Sequence, residues 1–178
     1  MDTTRQIAAF LGANRHALRF LLLFALIFGV CYFILAITPG VRLGVIKPFT
    51  TLLAGGVAAI VNLFGAEAVA DGTMVKSPEF ILDIAMGCDG VEASSLYLAG
   101  VLAYPTAWKA KLIGLALGVP LTQVINLGRL VGLYYAGIYM PSAAEVMHVY
   151  VAQTVVILFS TAILVFWLAR VAIRPRGA

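Results

Sequence analysis

Charged side chains are scarce in this sequence: Asp, Glu, Lys and Arg together make up 11% of its 178 residues, against about 25% in an ordinary globular chain. Hydrophobic residues make up 62%. A soluble domain of this size cannot hide so much apolar surface without exposing large apolar patches. The composition therefore excludes an ordinary soluble protein and predicts a single membrane domain over residues 1–178.

Cysteine and histidine are also rare, with two of each. Cys31 lies midway in an apolar run, where a thiol behaves as a small hydrophobic group, so a disulfide with Cys88 is not expected. The cysteine spacing is not that of a metal site, and we expect no metal and no other cofactor. A haem or quinone protein is disfavoured, because haem needs axial ligands and His16 lies in the terminal segment, which leaves only His148.

Long apolar runs, in contrast, are abundant. Pro39-Gly40 ends the first run, and Pro120 is expected to kink the fourth. Residues 1–17 are expected to form an interfacial segment. The expected fold class is an all-α polytopic membrane protein. About five transmembrane helices, each near the ~20 residues that cross a ~30 Å hydrocarbon core, are expected over residues 18–38, 48–64, 87–105, 112–137 and 146–169.

The segment 66–86 between the second and third runs differs in composition. It reads AEAVADGTMVKSPEFILDIAM, and Asp71-Gly72 is a turn signal between two short strand-like stretches. We expect a small extracytoplasmic hairpin here, with an irregular loop as the alternative.

The basic residues predict the orientation. With five spans, one face receives the 39–47 loop, the 106–111 loop and the C-terminal tail, which carry seven Lys and Arg residues. The opposite face receives the N-terminus and the hairpin, which carry four. The positive-inside rule places the first set in the cytoplasm. If the 48–64 run is re-entrant instead, or if residues 1–17 stay inside, the N-terminus changes side, whereas the last three spans keep their orientation. Because these residues border apolar runs and form no patch, nucleic-acid binding is not expected.

Three reactive side chains are predicted to meet at one face of the membrane. Cys88 begins the third span, Arg129 lies in the last third of the fourth, and His148 begins the fifth. Antiparallel neighbours therefore bring a thiol, a guanidinium and an imidazole to similar depth. Each alone has an ordinary structural explanation: packing for the cysteine, snorkelling for the arginine and helix capping for the histidine.

Their combination indicates a specific chemistry. A thiolate is the reactive form of cysteine, and nearby cations lower a thiol pKa. An imidazole can protonate a leaving amine, and a guanidinium can stabilise an oxyanion. Together these groups suit acyl transfer through a thioester. Asn126, on the face of Arg129, and Glu92, one turn after Cys88, are the expected supporting residues.

The motifs FILDIAMGCDGVE (residues 80–92), NLGR (residues 126–129) and the later His148 resemble those of the exosortase/archaeosortase family. The resemblance covers about residues 48–170. It implies a polytopic cysteine protease or transpeptidase of the bacterial inner membrane, with Cys88, Arg129 and His148 as catalytic residues facing the periplasm. It also implies substrates with a C-terminal sorting signal, composed of a recognition motif, a transmembrane helix and a basic tail.

Two departures narrow the resemblance. Many members have Ser after the cysteine, where this chain has Asp89, and many are longer. Both features resemble the compact exosortase H branch of Gram-negative bacteria. The alternative function is a non-catalytic membrane scaffold or a small transporter subunit, in which Arg129 and Glu92 form a structural ion pair.

Overall fold

The computed structural model of the protein describes residues 14–85, 87–142 and 152–172. Within these ranges the chain forms five helices and a three-stranded sheet. The strands are β1 (Val69–Asp71), β2 (Met74–Lys76) and β3 (Ile81–Asp83). The helices are α1 (Arg15–Tyr32, continued by wider π-helical turns over Phe33–Ile37), α2 (Pro39–Leu63), α3 (Val91–Ala103), α4 (Trp108–Tyr139) and α5 (Ala152–Trp167, continued by π-helical turns over Leu168–Ala172).

Four of these helices, α1, α2, α4 and α5, are long and apolar enough to cross a membrane, which confirms the all-α polytopic fold class. The helix in the predicted span 87–105 is shorter. α3 has 13 residues, or ~20 Å at ~1.5 Å per residue. α4 has 32 residues and continues through Pro120, so at ~48 Å it exceeds a ~30 Å hydrocarbon core. The predicted interfacial segment falls almost wholly on residues 1–13, outside the described chain, as do residues 146–151 of the last predicted span.

The connection between α1 and α2 is a single residue. Thr38 has an extended backbone (φ −73°, ψ 114°) and Pro39 begins α2 directly. The predicted loop over residues 39–47 is therefore wrong. That prediction treats Pro39 as a helix terminator, whereas proline suits the first turn of a helix, where its missing N–H costs no hydrogen bond.

The hairpin predicted around Asp71-Gly72 is present. β1 and β2 pair antiparallel with Ala70 opposite Val75. β3 adds antiparallel to the other side of β2, with Leu82 opposite Val75, and is a strand that the sequence analysis does not predict. A three-residue strand is too short to show an alternating pattern that could be recognised in the sequence.

A side-chain clamp fixes the start of the hairpin against α2. The amide of Asn62 donates to the backbone oxygen of Ala68 (2.9 Å) and accepts from the N–H of Ala68 (2.8 Å). The sheet then packs along α2 and on the C-terminal part of α4. One hydrophobic cluster joins all three elements and includes Leu53, Val57, Val61, Val75, Leu82, Ile84, Cys88, Leu130 and Tyr134.

Helices α1, α3, α4 and α5 form an antiparallel bundle, and the end of this bundle opposite the sheet is marked by two contacts. The ring of Phe20, early in α1, contacts the ring of Tyr104 just after α3, with centroids 6.4 Å apart. The hydroxyl of Thr106 donates to the backbone oxygen of Ala172 at the end of α5 (3.2 Å). We call this the basic end, because it carries Arg15, Arg19, Lys109, Lys111 and Arg170. The end with the sheet and Cys88 is the site end.

This arrangement agrees with part of the predicted orientation and corrects the rest. The 106–111 loop and the end of the last helix share one end, as expected. The start of α1 lies with them, however, and not with the hairpin. Residues 39–47 lie at the site end, where Arg42 and Lys47 line a cavity together with Thr73 of the hairpin. The predicted orientation of these two segments depends on counting the second apolar run, 48–64, as a complete crossing between the two faces.

Candidate active site

Cys88 lies on a tight turn between β3 and α3. Its N–H donates to the oxygen of Ala85 (3.0 Å), and glycines with positive φ stand on both sides, Gly87 (+90°) and Gly90 (+73°). The carboxylate of Asp89 accepts the N–H of Val91 (3.0 Å), which begins α3. The thiol therefore lies beside a helix N-terminus, whose positive dipole end favours an anionic sulfur.

Gly90 is required here for space as well as for its backbone angle. A Cβ at this position would lie 2.8 Å from the side-chain amide of Asn126 and 3.0 Å from that of Gln123. Both amides approach the turn from α4. The close approach of α4 to the cysteine turn thus depends on a residue without a side chain.

Two side chains of α4, Asn126 and Arg129, bind the cysteine turn, and a third, Gln123, is described below. Asn126 donates from Nδ2 to the backbone oxygen of Cys88 (3.1 Å) and accepts from Nη1 of Arg129 (3.2 Å). Arg129 also donates from Nη2 to Sγ of Cys88 (3.5 Å). The structure therefore brings Cys88 and Arg129 together, as the connectivity of the spans predicted, and adds Asn126, which its spacing had placed on the same helix face as Arg129.

Gln123 is a site residue that the sequence analysis missed. Its Nε2 donates to the backbone oxygen of Gly90 (3.1 Å) and to the hydroxyl of Ser94 on α3 (2.8 Å). Gln123 lies three residues before Asn126, and this spacing could have placed it on the same face of α4. Thr122, in contrast, satisfies its hydroxyl on its own helix, at the oxygen of Gly118 (2.9 Å), and takes no part in the turn.

Arg129 is a buried cation with an incomplete set of partners. It is 9% exposed, and its Nε has no hydrogen-bond partner within the described residues. Arg129 forms no ion pair with Glu92. Among the described residues, an ion pair joins Lys76 to Asp71 in the sheet (2.6 Å). A buried cation is costly unless it is paired. Arg129 faces the thiol sulfur of Cys88, and its charge also acts on the buried carboxyl of Asp89.

The missing ion pair weighs against the scaffold alternative, which requires Arg129 and Glu92 to be joined. Glu92 occupies the first turn of α3 and is half-buried. Its negative charge acts on the thiol of Cys88 and raises the pKa of that group. Glu92 therefore belongs to the surroundings of the cysteine, without the structural pairing predicted for it.

The pKa of Cys88, which lies in the loop ahead of α3, reflects two opposing influences. Burial raises the pKa of the thiol above its ordinary value, whereas the charge and the hydrogen bond of Arg129 lower it, and burial is the larger effect. The sequence analysis considered only the lowering by cations. A base that accepts the proton of the thiol would generate the reactive thiolate.

The third predicted catalytic residue, His148, lies outside the described residues. The second cysteine lies on a different helix from the site residues. Cys31 is on α1, and neither it nor Cys88 is part of a disulfide. The expectation of two separate thiols is therefore confirmed.

A cavity of about 480 Å³ opens beside the cysteine turn. One wall is the first part of α2, with the exposed cations Arg42 and Lys47. The opposite wall is the sheet and the turn, with Thr73, Asp83 and Asp89. Asp89, which lines the cavity, adjoins Cys88 in the chain, so the cavity lies next to the cysteine turn.

Comparison with known proteins identifies one family. The family model described as transmembrane exosortase (Exosortase_EpsH) matches residues 6–168 of the chain. The match includes α1, whereas the resemblance seen in the motifs begins only near residue 48. No curated protein matches the chain, and no solved structure matches it.

Proposed function

Because the chain belongs to the transmembrane exosortase family, we propose that it is a membrane-embedded cysteine peptidase or transpeptidase that cleaves C-terminal sorting signals of exported proteins. Its substrates are membrane-anchored precursors with a recognition motif, a transmembrane helix and a basic tail. Cys88 is the nucleophile, Arg129 stabilises the oxyanion, and His148 is the acid and base. Membership of the compact exosortase H branch stays a prediction.

One observation supports this proposal most: the buried guanidinium of Arg129 faces the thiol of Cys88 at 3.5 Å. Nη1 is occupied by Asn126, and Nε has no partner among the described residues. A donor held in place and left unsatisfied is suited to a charge that develops only during reaction. We assign Nε and Nη2 to the oxyanion of the tetrahedral intermediate.

The proposed first half-reaction forms a thioester. His148 accepts the proton of the Cys88 thiol, and the thiolate attacks the scissile carbonyl carbon. The π electrons of the carbonyl move to its oxygen, and Arg129 stabilises the negative charge. When the intermediate collapses, the C–N bond breaks, and His148 returns the proton to the leaving amine. The acyl group of the precursor is then bound to sulfur.

The second half-reaction consumes the thioester. Water or an acceptor amine attacks the carbonyl carbon, and His148 accepts the proton that this nucleophile loses. The C–S bond breaks, and the thiolate of Cys88 recovers a proton from His148. Water gives hydrolysis and an amine gives transpeptidation, and the steps on the enzyme are otherwise the same.

The cavity supplies a binding site for the substrate segment next to the scissile bond. Its walls combine the cations Arg42 and Lys47 with the polar groups of Thr73 and Asp83, which suits an extended polar peptide. The transmembrane helix of the precursor would then dock from the surrounding lipid.

The charge distribution favours a periplasmic site in a bacterial inner membrane. Among the described residues, the basic end carries five cations and no carboxylate. The site end carries four cations and six carboxylates, namely Arg42, Lys47, Lys76, Arg129, Glu67, Asp71, Glu79, Asp83, Asp89 and Glu92. The positive-inside rule places the basic end in the cytoplasm, so the site end faces outward.

The test is processing of a matched precursor by single variants in cells. Cys88→Ala should leave the precursor uncleaved at normal enzyme level, while Cys31→Ala, the matched control, should process it as the wild type does. Full cleavage by Cys88→Ala would exclude the proposed nucleophile. His148→Ala should also stop processing, and normal cleavage by this variant would remove the histidine from the mechanism.

A further inference from the structure

α2 meets the requirements of length and hydropathy for a transmembrane helix, but both of its ends lie against the sheet. Near its C-terminal end, Asn62 clamps Ala68 at the start of the hairpin. Near its N-terminal end, Arg42 and Lys47 face Thr73, at the hairpin turn, across the cavity. A helix that crossed the bilayer would have its two ends on opposite surfaces.

The sheet itself has to lie in water. Asp71 and Lys76 form an ion pair with 69% and 44% of their side chains exposed. Glu67, Glu79 and Asp83 are exposed as well. Charged side chains placed against lipid chains are energetically costly, and they are rare there. Since the sheet lies outside the hydrocarbon, the helix that packs along it lies outside also.

The face of α2 that points away from the sheet is apolar. It presents Val45, Leu52 and Leu63, which are 56%, 73% and 83% exposed. Their separations of seven and eleven residues place them on one stripe of a helix with ~3.6 residues per turn. Arg42 and Lys47 lie on the same helix, and their side chains form no hydrogen bond or ion pair within the described residues. An apolar stripe accompanied by cations is typical of a helix that lies in the membrane interface.

We propose that α2 is an interfacial helix that binds the outer surface of the lipid bilayer and does not cross it. Its apolar stripe enters the boundary between headgroups and acyl chains. Its two cations, Arg42 and Lys47, face the cavity on the side of the sheet, so they stay in water above the apolar stripe. The lipid surface therefore contacts one face of α2, and the sheet packs on the opposite face, which is directed toward water.

This assignment leaves four crossings, made by α1, α3, α4 and α5. The start of α1 and the end of α5 then lie on the same side, as the contact between Phe20 and Tyr104 and the bond between Thr106 and Ala172 require. All five cations of the basic end fall on one side, with no described carboxylate among them. The positive-inside rule is therefore satisfied more fully than with five spans.

Cysteine labelling from one side of the membrane tests the proposal. In the full-length protein carrying Cys31→Ser and Cys88→Ser, single cysteines replace Arg42, Asp71 or Lys109. Intact spheroplasts are treated with a membrane-impermeant maleimide before and after lysis. We expect Arg42→Cys to react before lysis, as Asp71→Cys does, and Lys109→Cys to react only afterwards. The proposal would be overturned if Arg42→Cys reacted only after lysis, as Lys109→Cys is expected to, or if it did not react at all.

A depth measurement provides a second readout. Leu52 lies at the middle of α2, so a crossing helix would place it ~15 Å below the surface of a ~30 Å core, and an interfacial helix only ~5–10 Å deep. A bimane on Leu52→Cys should be quenched more by a shallow lipid nitroxide than by a deep one. Stronger quenching by the deep nitroxide would contradict the proposal. Both measurements omit Cys88, so their failure is distinct from failure of the proposed enzymatic function.

Discussion

The two ends of the bundle bury polar side chains in different ways. At the basic end, Tyr97 donates its hydroxyl to the oxygen of Gly114 (3.0 Å) and Trp167 donates Nε1 to that of Ala110 (2.9 Å). Each donor ends on a backbone carbonyl of α4. At the site end, Arg129 keeps an unsatisfied Nε and faces a thiol. Satisfied donors hold helices together, whereas an unsatisfied buried donor indicates a site kept ready for another group.

The same contrast applies to the two packing clusters. Tyr97, Val101 and Trp167 form the core of the basic end, and the hydroxyl of Tyr97 fits the space left by the missing Cβ of Gly118. The cluster at the site end includes Cys88 itself. Substitutions at the basic end should therefore change stability, and those at the site end should change activity with little change in stability.

The largest effect is expected from the nucleophile. Cys88→Ala should reduce the rate of precursor cleavage by roughly 10⁴-fold or more, because only substrate binding and oxyanion stabilisation then remain. Cleavage is measured with purified enzyme in detergent or liposomes. Cys31→Ala should keep the wild-type rate, and equal losses in both variants would mean that the thiols matter only for packing.

Arg129 is expected to follow. Arg129→Gln should lower kcat by about 10²–10³-fold, as removal of an oxyanion donor does in other acyl-transfer enzymes. Lys109→Gln, a change of the same type at the basic end, should leave kcat unchanged. The contrast between the ends would fail if the two variants lost equal activity at equal folded fraction.

Gly90 provides a steric test of the cysteine turn. Gly90→Ala requires a positive φ of 73° and brings a Cβ to 2.8 Å from Asn126. We expect the displaced cysteine turn to lose about 1.4 kcal/mol of transition-state stabilisation, which corresponds to a tenfold lower rate of cleavage. Gly128→Ala is the matched control, since a Cβ there meets nothing within 4 Å, and its activity should be normal.

The pH dependence of the thiol reports the charge of Arg129 directly. Because burial raises the pKa of Cys88, its alkylation by iodoacetamide should accelerate with pH to a midpoint above that of an ordinary thiol. Arg129 lowers this pKa, so Arg129→Gln should move the midpoint to still higher pH. The rates are measured with Cys31→Ser as background. A midpoint below the ordinary range, or one that Arg129→Gln leaves in place, would contradict this description.

The smallest effect on activity is expected at the basic end. Tyr97→Phe removes the hydrogen bond to Gly114 and should lower the free energy of unfolding by about 1 kcal/mol. Thermal melting in detergent measures this change, and the specific activity of the folded fraction should not differ from the wild type. A large loss of specific activity would show that the basic end also contributes to the reaction.

The sequence predicted which side chains meet at the cysteine turn better than it predicted the path of the chain around that turn. Cys88, Arg129 and Asn126 could be found because a polar residue in an apolar run is conspicuous, and because antiparallel helices determine relative depth. Gln123 was missed because its role depends on the backbone of Gly90, which no side-chain pattern reveals. The position of His148 in space stays a prediction.

The errors in the fold have a common physical cause. Hydropathy and length describe α2 as a span, whereas the interfacial position that we propose for it rests on what the helix packs against, and those contacts are distant in sequence. Pro39 was read as a break, although it starts a helix, and β3 was too short for its alternation to show. The composition nevertheless predicted the all-α membrane fold, and the Asp71-Gly72 signal predicted the hairpin.

The central claim is that Cys88 forms a covalent bond with the substrate. Purified enzyme is mixed with a precursor that carries a matched sorting signal, the reaction is stopped in acid, and the peptide that contains Cys88 is analysed by mass spectrometry. A mass increase equal to the acyl part of the precursor, which hydroxylamine removes and Cys88→Ala lacks, is the predicted result. Cleavage of the precursor at the wild-type rate, with Cys88 unmodified at every time point, would contradict the claim.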